Sequence, residues 1–497
     1  MTPKNDSIDH RRQEVQQIIN NVCDLLNQDG VNARDYVEQI AWLFFLKAFD
    51  ETENRREEEC AFGGEDTYER RLTGKFAWSN WSQKTDKPDA MLKFVSTRLW
   101  DKLTLIQPGK GMGTDALAQR FQRIFSTVKN HCRKGATFAR VVQQINRLHF
   151  ADNTDVIVLS EIYESLLKRV AADSAGYAGE FYTQRHIIRA MIEVVKPSIR
   201  DRIYDPCFGS AGFLAECVDF IRKGATLSAT QLDKLQNKTF YGVELKPLTY
   251  LLGTMNMILH GIEGANLELG NTLERHSTNV PESEKYEVIL ANPPYGGKMD
   301  PKLQTNFKVR SAATECLFLQ HIMKNLAKGG RAAVVVPEGV LFRTGPDQAV
   351  RKELIENFRM LCVLSLPAGV FLPYTGVKTN VIFFERPKDG SSTQKVWFYE
   401  LENDGFELKQ TRRPIAGSQL PDFLKKFSKQ AQGENNWTLD RLQIEKQGYD
   451  LSARNPHRKI EEPHKPALEL VRSVRVREKR ILELLDELEG LLGGGKK

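Results

Sequence analysis

The sequence predicts an α/β protein: a doubly wound, mostly parallel sheet preceded by an all-helical N-terminal domain and followed by a C-terminal helix. Three patterns carry this expectation. Apolar residues recur at helical spacing through the first third of the chain, short strand-like runs alternate with helix-like segments through the middle, and one apolar stripe lines a charged segment at the end.

In order along the chain, residues 1–170 form the helical domain. Val15, Ile18, Ile19 and Val22 share one helix face, and Tyr36, Ile40, Leu43, Phe44 and Lys47 share another. Ala171 to Gly179 is a run of small residues that reads as a linker. Residues 171–455 form the second domain, with strands expected at Arg202–Tyr204, Thr239–Val243, Glu287–Leu290, Arg331–Val336, Leu361–Leu364 and Val381–Phe384. Residues 456–497 form the C-terminal helix. Past Pro463 and Pro466, Val471, Val474, Ile481, Leu485, Leu488 and Leu492 make one stripe, which either folds onto its own domain or packs on a partner.

Composition narrows the class. With 41% hydrophobic and 27% charged residues, a 497-residue chain has the makings of two or three globular domains. The apolar stretch Ala41–Leu46 is far short of the ~20 residues that span a bilayer, so no membrane is expected. The polar start Met1–Asp6 gives no secretory signal, and the cytoplasm is the expected compartment. Seven cysteines without a C-x-x-C pair predict neither a zinc site nor a disulfide framework, and no metal is expected. A net charge of +7 is compatible with nucleic acid but does not single it out.

The chemistry concentrates in two short segments. Asn292-Pro293-Pro294-Tyr295 ends the apolar run Val288–Ala291. An amine on an aromatic ring is a poor nucleophile because its lone pair is delocalised. The Asn292 carboxamide oxygen and the Pro293 carbonyl offer two acceptors for its two N–H groups, which turns the nitrogen toward tetrahedral geometry. Two prolines stiffen the loop, and Tyr295 offers a face for stacking. The plain alternative is a turn after a strand. Upstream, Ile203 to Leu214 reads as strand, glycine-containing loop and helix start, with Asp205, Gly209, Ser210, Ala211 and Gly212 in the loop. Its G-x-x-G spacing is not the dinucleotide fingerprint, and the acid Glu244 comes later than the roughly 20 residues expected there. Glu244 ends the next strand and suits a ribose diol.

On these motifs the chain resembles the modification (methyltransferase) subunits of type I restriction-modification systems, N6-adenine DNA methyltransferases. The resemblance runs from the helical N-terminal region to Tyr449-Asp450-Leu451-Ser452. It implies S-adenosyl-L-methionine as cofactor. Glu180, Phe181, Tyr182, Thr183, Gln184 and Arg185 match the segment over the cofactor's methionine part, Asp205–Gly212 the cofactor loop, Glu244 the ribose acid, and Asn271 the segment lining the cofactor's adenine. Leu366–Phe371 and Tyr374–Thr379 also match this family. The resemblance further implies double-stranded DNA, a specificity subunit serving two modification subunits, and a restriction subunit as an optional third partner. No insertion long enough to read bases follows Tyr295, in keeping with delegated specificity. Two departures stand out: Gln184 replaces the family's usual proline, and Asn271 replaces a common acid. Methylation of RNA adenine or protein glutamine, and a non-catalytic structural role, are the competing readings.

Overall fold

The computed structural model describes residues 3–493 apart from 64–67, 69, 107–113, 150–182, 225, 275–279, 373, 411, 453 and 459–466. Chain contacts separate two units, residues 1–453 and residues 454–497.

The first unit begins with long helices, α1 (Pro3–Gln28) and α2 (Ala33–Gly63), followed after several short turns by α3 (Thr114–Thr127) and α4 (Gly135–Asn146). The stripes expected on α1 and α2 are buried: Ile18, Ile19, Val22, Ile40, Leu43 and Phe44 are each at most 1% exposed. Lys47 is buried as well, and its ammonium pairs with Glu51 at 2.7 Å. Ala41–Leu46 is thus a core segment, and no helix among the described residues is long and apolar enough to cross a membrane.

The described strands form one nine-stranded sheet: β1 (Ile203–Asp205), β2 (Phe240–Glu244), β3 (Asn266–Leu269), β4 (Tyr286–Ala291), β5 (Leu326–Pro337), β6 (Arg359–Ser365), β7 (Thr379–Glu385), β8 (Lys395–Glu400) and β9 (Asn436–Asp440). Their spatial order is β3-β2-β1-β4-β5-β7-β6-β8-β9. The β3-β2-β1-β4-β5 half is parallel, and β7 slots antiparallel between β5 and β6. All six expected strands are present. The sheet adds β3, β8 and β9, which sequence patterning had not marked.

Alternate residues of each central strand serve two different cores, because successive side chains leave opposite faces. Val288 and Leu290 join the larger core with α5 (Arg185–Val195), α6 (Gly212–Arg222), α7 (Pro247–Leu259) and the N-terminal helices. Ile289 and Ala291 join the second core with α8 (Thr314–Asn325) and α9 (Pro346–Asn357). Helices therefore cover both faces, as a sheet apolar on both sides requires.

The second unit contains α10 (Ala467–Gly493). On it Val474, Ile481, Leu485 and Leu488 are exposed.

Candidate active site

The chain runs outward from β1 to β2 and β3, then returns to place β4 on β1's other side. Strand order reverses there, and the carboxyl ends of strands at such a reversal are where open α/β sheets bind ligands. Asp205 ends β1 and Asn292 follows β4 directly. The two loops leave adjacent strands, since β1 pairs in parallel with β4 and Tyr204 lies opposite Ile289. Burial, with Asp205 and Glu244 adding, pushes the Cys207 thiol well up, so it stays a neutral packing group.

The β1 loop combines left-handed backbone with side-chain ties from neighbouring elements. Gly209 (φ 55°) and Ala211 (φ 59°) are both left-handed, a conformation that disfavours a side chain at Ala211 and marks a constrained turn. Ala211 caps α6, and Gly212 opens it. The Ser210 carbonyl accepts from Asn256 Nδ2 at 2.8 Å. Gly253 on α7 allows this approach, since a Cβ there would lie 2.5 Å from the Gly209 carbonyl oxygen. Glu244 ties the loop to β2: one carboxylate oxygen accepts from Gly209 N at 3.0 Å, the other from Lys246 N at 2.9 Å.

The Asp205 carboxyl accepts from Cys207 N at 3.1 Å. Burial, with the Glu244 charge adding, pushes it up to about 8. Asn271 stands at the third corner. Its side-chain oxygen accepts from Leu273 N at 3.1 Å, its amide donates to Glu274 at 3.2 Å, and the neighbouring Thr272 hydroxyl donates to the Pro206 carbonyl. The oxygen of an Asp could cap this turn equally well, so Asn271 keeps the local structure. A Cβ on Gly209 or on Gly270 would meet nothing within 4 Å. Gly209 N donates to the Glu244 carboxylate and Gly270 N to the Glu244 main-chain carbonyl, so both open positions border Glu244.

The β4 loop is held by side chains from elsewhere. Asn292 Nδ2 donates to Thr183 Oγ1 at 2.9 Å, and the Tyr295 hydroxyl donates to Asn292 Oδ1 at 2.6 Å. Tyr295 is 8% exposed, and burial holds its hydroxyl firmly protonated. Thr314 Oγ1 donates to the Pro294 carbonyl at 3.1 Å, while buried Glu315 accepts from Gly296 N at 3.3 Å and faces Arg343 at 3.5 Å. Pro293 is buried beneath the loop. Sequence reasoning missed Thr314 and Glu315. Nothing local distinguishes them from an ordinary first helical turn, and a clue lies only in the glycine at 297, whose Cβ would sit 2.8 Å from Thr314.

Of the segment expected over the cofactor, Glu180, Phe181 and Tyr182 lie outside the described residues. Thr183 turns to Asn292. Gln184 caps α5 with φ of −59°. Arg185 opens α5, with its guanidinium 3.4 Å from the Gly212 carbonyl and 3.5 Å from Glu216. Of the basic residues after Tyr295, Lys308 points away from the two loops. It pairs with Glu353 at 3.2 Å and lines a cavity of about 730 Å³ with Lys285, Lys324, Lys328, Arg386 and Lys388. Lys285 precedes β4 and Asn292 follows it, so this basic cavity lies at the opposite end of the sheet.

Comparison with known proteins decides the family. Residues 154–465 match the N-6 DNA methylase model, and residues 15–145 match the HsdM N-terminal domain. The chain belongs to the N-6 DNA methylase family. It is 32% identical to the type I restriction enzyme EcoEI methylase subunit of Escherichia coli, over 96% of this chain and 98% of that one. A chain from a solved type I R-M system is 33% identical over 98% of this chain and 99% of its own, with a TM-score of 0.72. A modification subunit from Vibrio vulnificus YJ016, provisionally assigned to a type I restriction enzyme, is 29% identical, covers 90% of this chain and 97% of its own, and has a TM-score of 0.79. This methylase subunit is accordingly an adenine-N6 DNA methyltransferase of the type I restriction-modification class.

Proposed function

We propose that the methylase subunit transfers a methyl group from S-adenosyl-L-methionine to N6 of an adenine flipped out of double-stranded DNA, in the cytoplasm. A specificity subunit, shared by two modification subunits, supplies the recognition sequence, and a restriction subunit is a further partner. Residues 171–455 would carry the chemistry, 1–170 the helical support, and 456–497 the partner contact, for which the exposed α10 stripe is suited. The placing of the Asp205–Gly212 loop beside Asn292–Tyr295, at the ends of paired strands β1 and β4 where strand order reverses, carries this reading.

Asp205, Gly209–Gly212, Glu244 and Asn271 would hold the cofactor, Glu244 as the carboxylate toward its ribose. When bound, that cofactor supplies a methyl group on a positively charged sulfur. The remaining work belongs to the chain. Asn292 Oδ1 and the Pro293 carbonyl accept the two N6 protons and aim the lone pair, while Tyr295 stacks on the base. The Tyr295 hydroxyl leaves Asn292 Oδ1 as the amine arrives. The alkylated nitrogen is strongly acidic and passes its proton to a carbonyl or water, so no dedicated base is needed.

Radiolabelled methyl transfer to unmodified genomic DNA, with and without the specificity subunit, tests this. Label on adenine N6 only with the partner is the expected result, and Asn292→Ala should abolish it while leaving cofactor affinity within about twofold. Label on RNA or protein, or normal methylation by the variant, overturns the reading.

A further inference from the structure

We propose that Thr183 is a positioning residue: its hydroxyl holds the amide nitrogen of Asn292 and so keeps the carboxamide oxygen turned toward the incoming amine. The inference rests on Asn292 acting as proposed above. A carboxamide has two ends of nearly equal size and opposite hydrogen-bonding character, and a half-turn about its last torsion exchanges them. Only one orientation is productive, because an NH2 facing the adenine NH2 sets donor against donor.

Two hydroxyls flank the carboxamide, and they are not equivalent. Tyr295 reaches the oxygen end at 2.6 Å, the end the substrate must occupy, and its ring is needed against the base. Thr183 reaches the nitrogen end at 2.9 Å, where it can stay throughout. It is 5% exposed, so little water competes for that amide. It is also fixed to the frame. Two residues on, α5 begins, and α5 is pinned by Arg189 to Glu216 at 2.9 and 3.1 Å and by His186 to Asp404 at 2.8 Å. Arg412 secures Asp404 in turn through both carboxylate oxygens at 2.7 Å. The segment before α5 therefore supplies, from 109 residues away and on a different loop, the acceptor that the Asn292 amide nitrogen needs when its oxygen faces the amine.

Thr183→Val keeps the volume and removes the acceptor, whereas Thr183→Ser keeps it. Methyl transfer at saturating S-adenosylmethionine and DNA should fall roughly 10- to 100-fold in the valine variant and recover in the serine variant. Affinity for S-adenosylhomocysteine, measured by calorimetry, should stay within about twofold in both, which also shows that each variant is folded. In an Asn292→Ala background, Thr183→Val should cost nothing further. Loss of S-adenosylhomocysteine affinity with full turnover at saturation would make Thr183 a cofactor ligand and overturn the proposal, as would full activity of the valine variant beside a dead Asn292→Ala. An active Asn292→Ala would instead overturn the catalytic assignment itself.

Discussion

The two loops at the switch point are built in different ways. The β1 loop combines two left-handed residues and a helix start with ties from Glu244 to the Gly209 N–H, from Asn256 to the Ser210 carbonyl and from Thr272 to the Pro206 carbonyl. The β4 loop owes its form to remote side chains, Thr183 on one side and Thr314 with Glu315 on the other. The difference lies in the backbone: the β1 loop carries the left-handed residues Gly209 and Ala211, whereas the β4 loop takes its stiffness from Pro293 and Pro294 and its braces from Thr183, Thr314 and Glu315.

The comparison predicts that damage to the braces separates turnover from cofactor binding. Glu315→Ala removes an acceptor beneath the catalytic loop. A hydrogen bond to a charged group contributes roughly 1.5–3 kcal/mol, so turnover should fall about 10- to 100-fold. S-adenosylhomocysteine affinity should hold; an equal loss in both would show that the two loops are one mechanical unit.

On the cofactor side the expected effect is smaller and depends on pH. Asp205, pushed up to about 8 by burial and by Glu244, keeps in the folded chain a proton that the unfolded chain releases near about 3.9. Stability of the free subunit should therefore decline as pH rises from about 4 to about 8 and level off above. A cationic ligand favours the ionised carboxyl, so below pH 8 the ratio of S-adenosylmethionine to S-adenosylhomocysteine affinity should rise with pH, by at most about tenfold per unit. Asp205→Asn should flatten that ratio. A wild-type ratio already flat between pH 6 and 8 would mean that Asp205 does not face the charge.

The smallest expected change is at Gln184. Its φ of −59° is the value proline imposes, so Gln184→Pro should be tolerated and should stabilise by up to about 1 kcal/mol through the unfolded chain. Thermal denaturation checks this, and a lower melting temperature would mean that the Gln184 N–H has a use the backbone angle does not reveal.

Legibility in the sequence followed the same division. Asp205, Gly209, Gly212 and Glu244 could be found because strand, loop and helix start are consecutive, and the strands feeding the site are short runs bounded by turn residues. The edge strands β3 and β9 escaped notice because their pattern is weak, with Glu268 and Asp440 exposed. The Lys395–Glu400 run of β8 is buried from Val396 onward, and periodicity cannot tell such a short apolar run from a piece of buried helix. Thr183 was legible as part of a motif, but its contact with Asn292 was not. The place of Lys308 shortly after Asn292–Tyr295 in sequence does not reveal that it lines a cavity at the sheet's other end.

By itself the sequence determined the α/β class, the helical N-terminal region, the family and where the two motif-bearing loops follow their strands, because each is written in residues close together along the chain. Only the tertiary structure decided that Asn292 leans on Thr183, that Glu315 braces Gly296, and that two sets of alternating strand residues feed separate cores. Those contacts join segments far apart in sequence, and hydrogen-bonding residue types alone do not say which partners the fold will bring within reach.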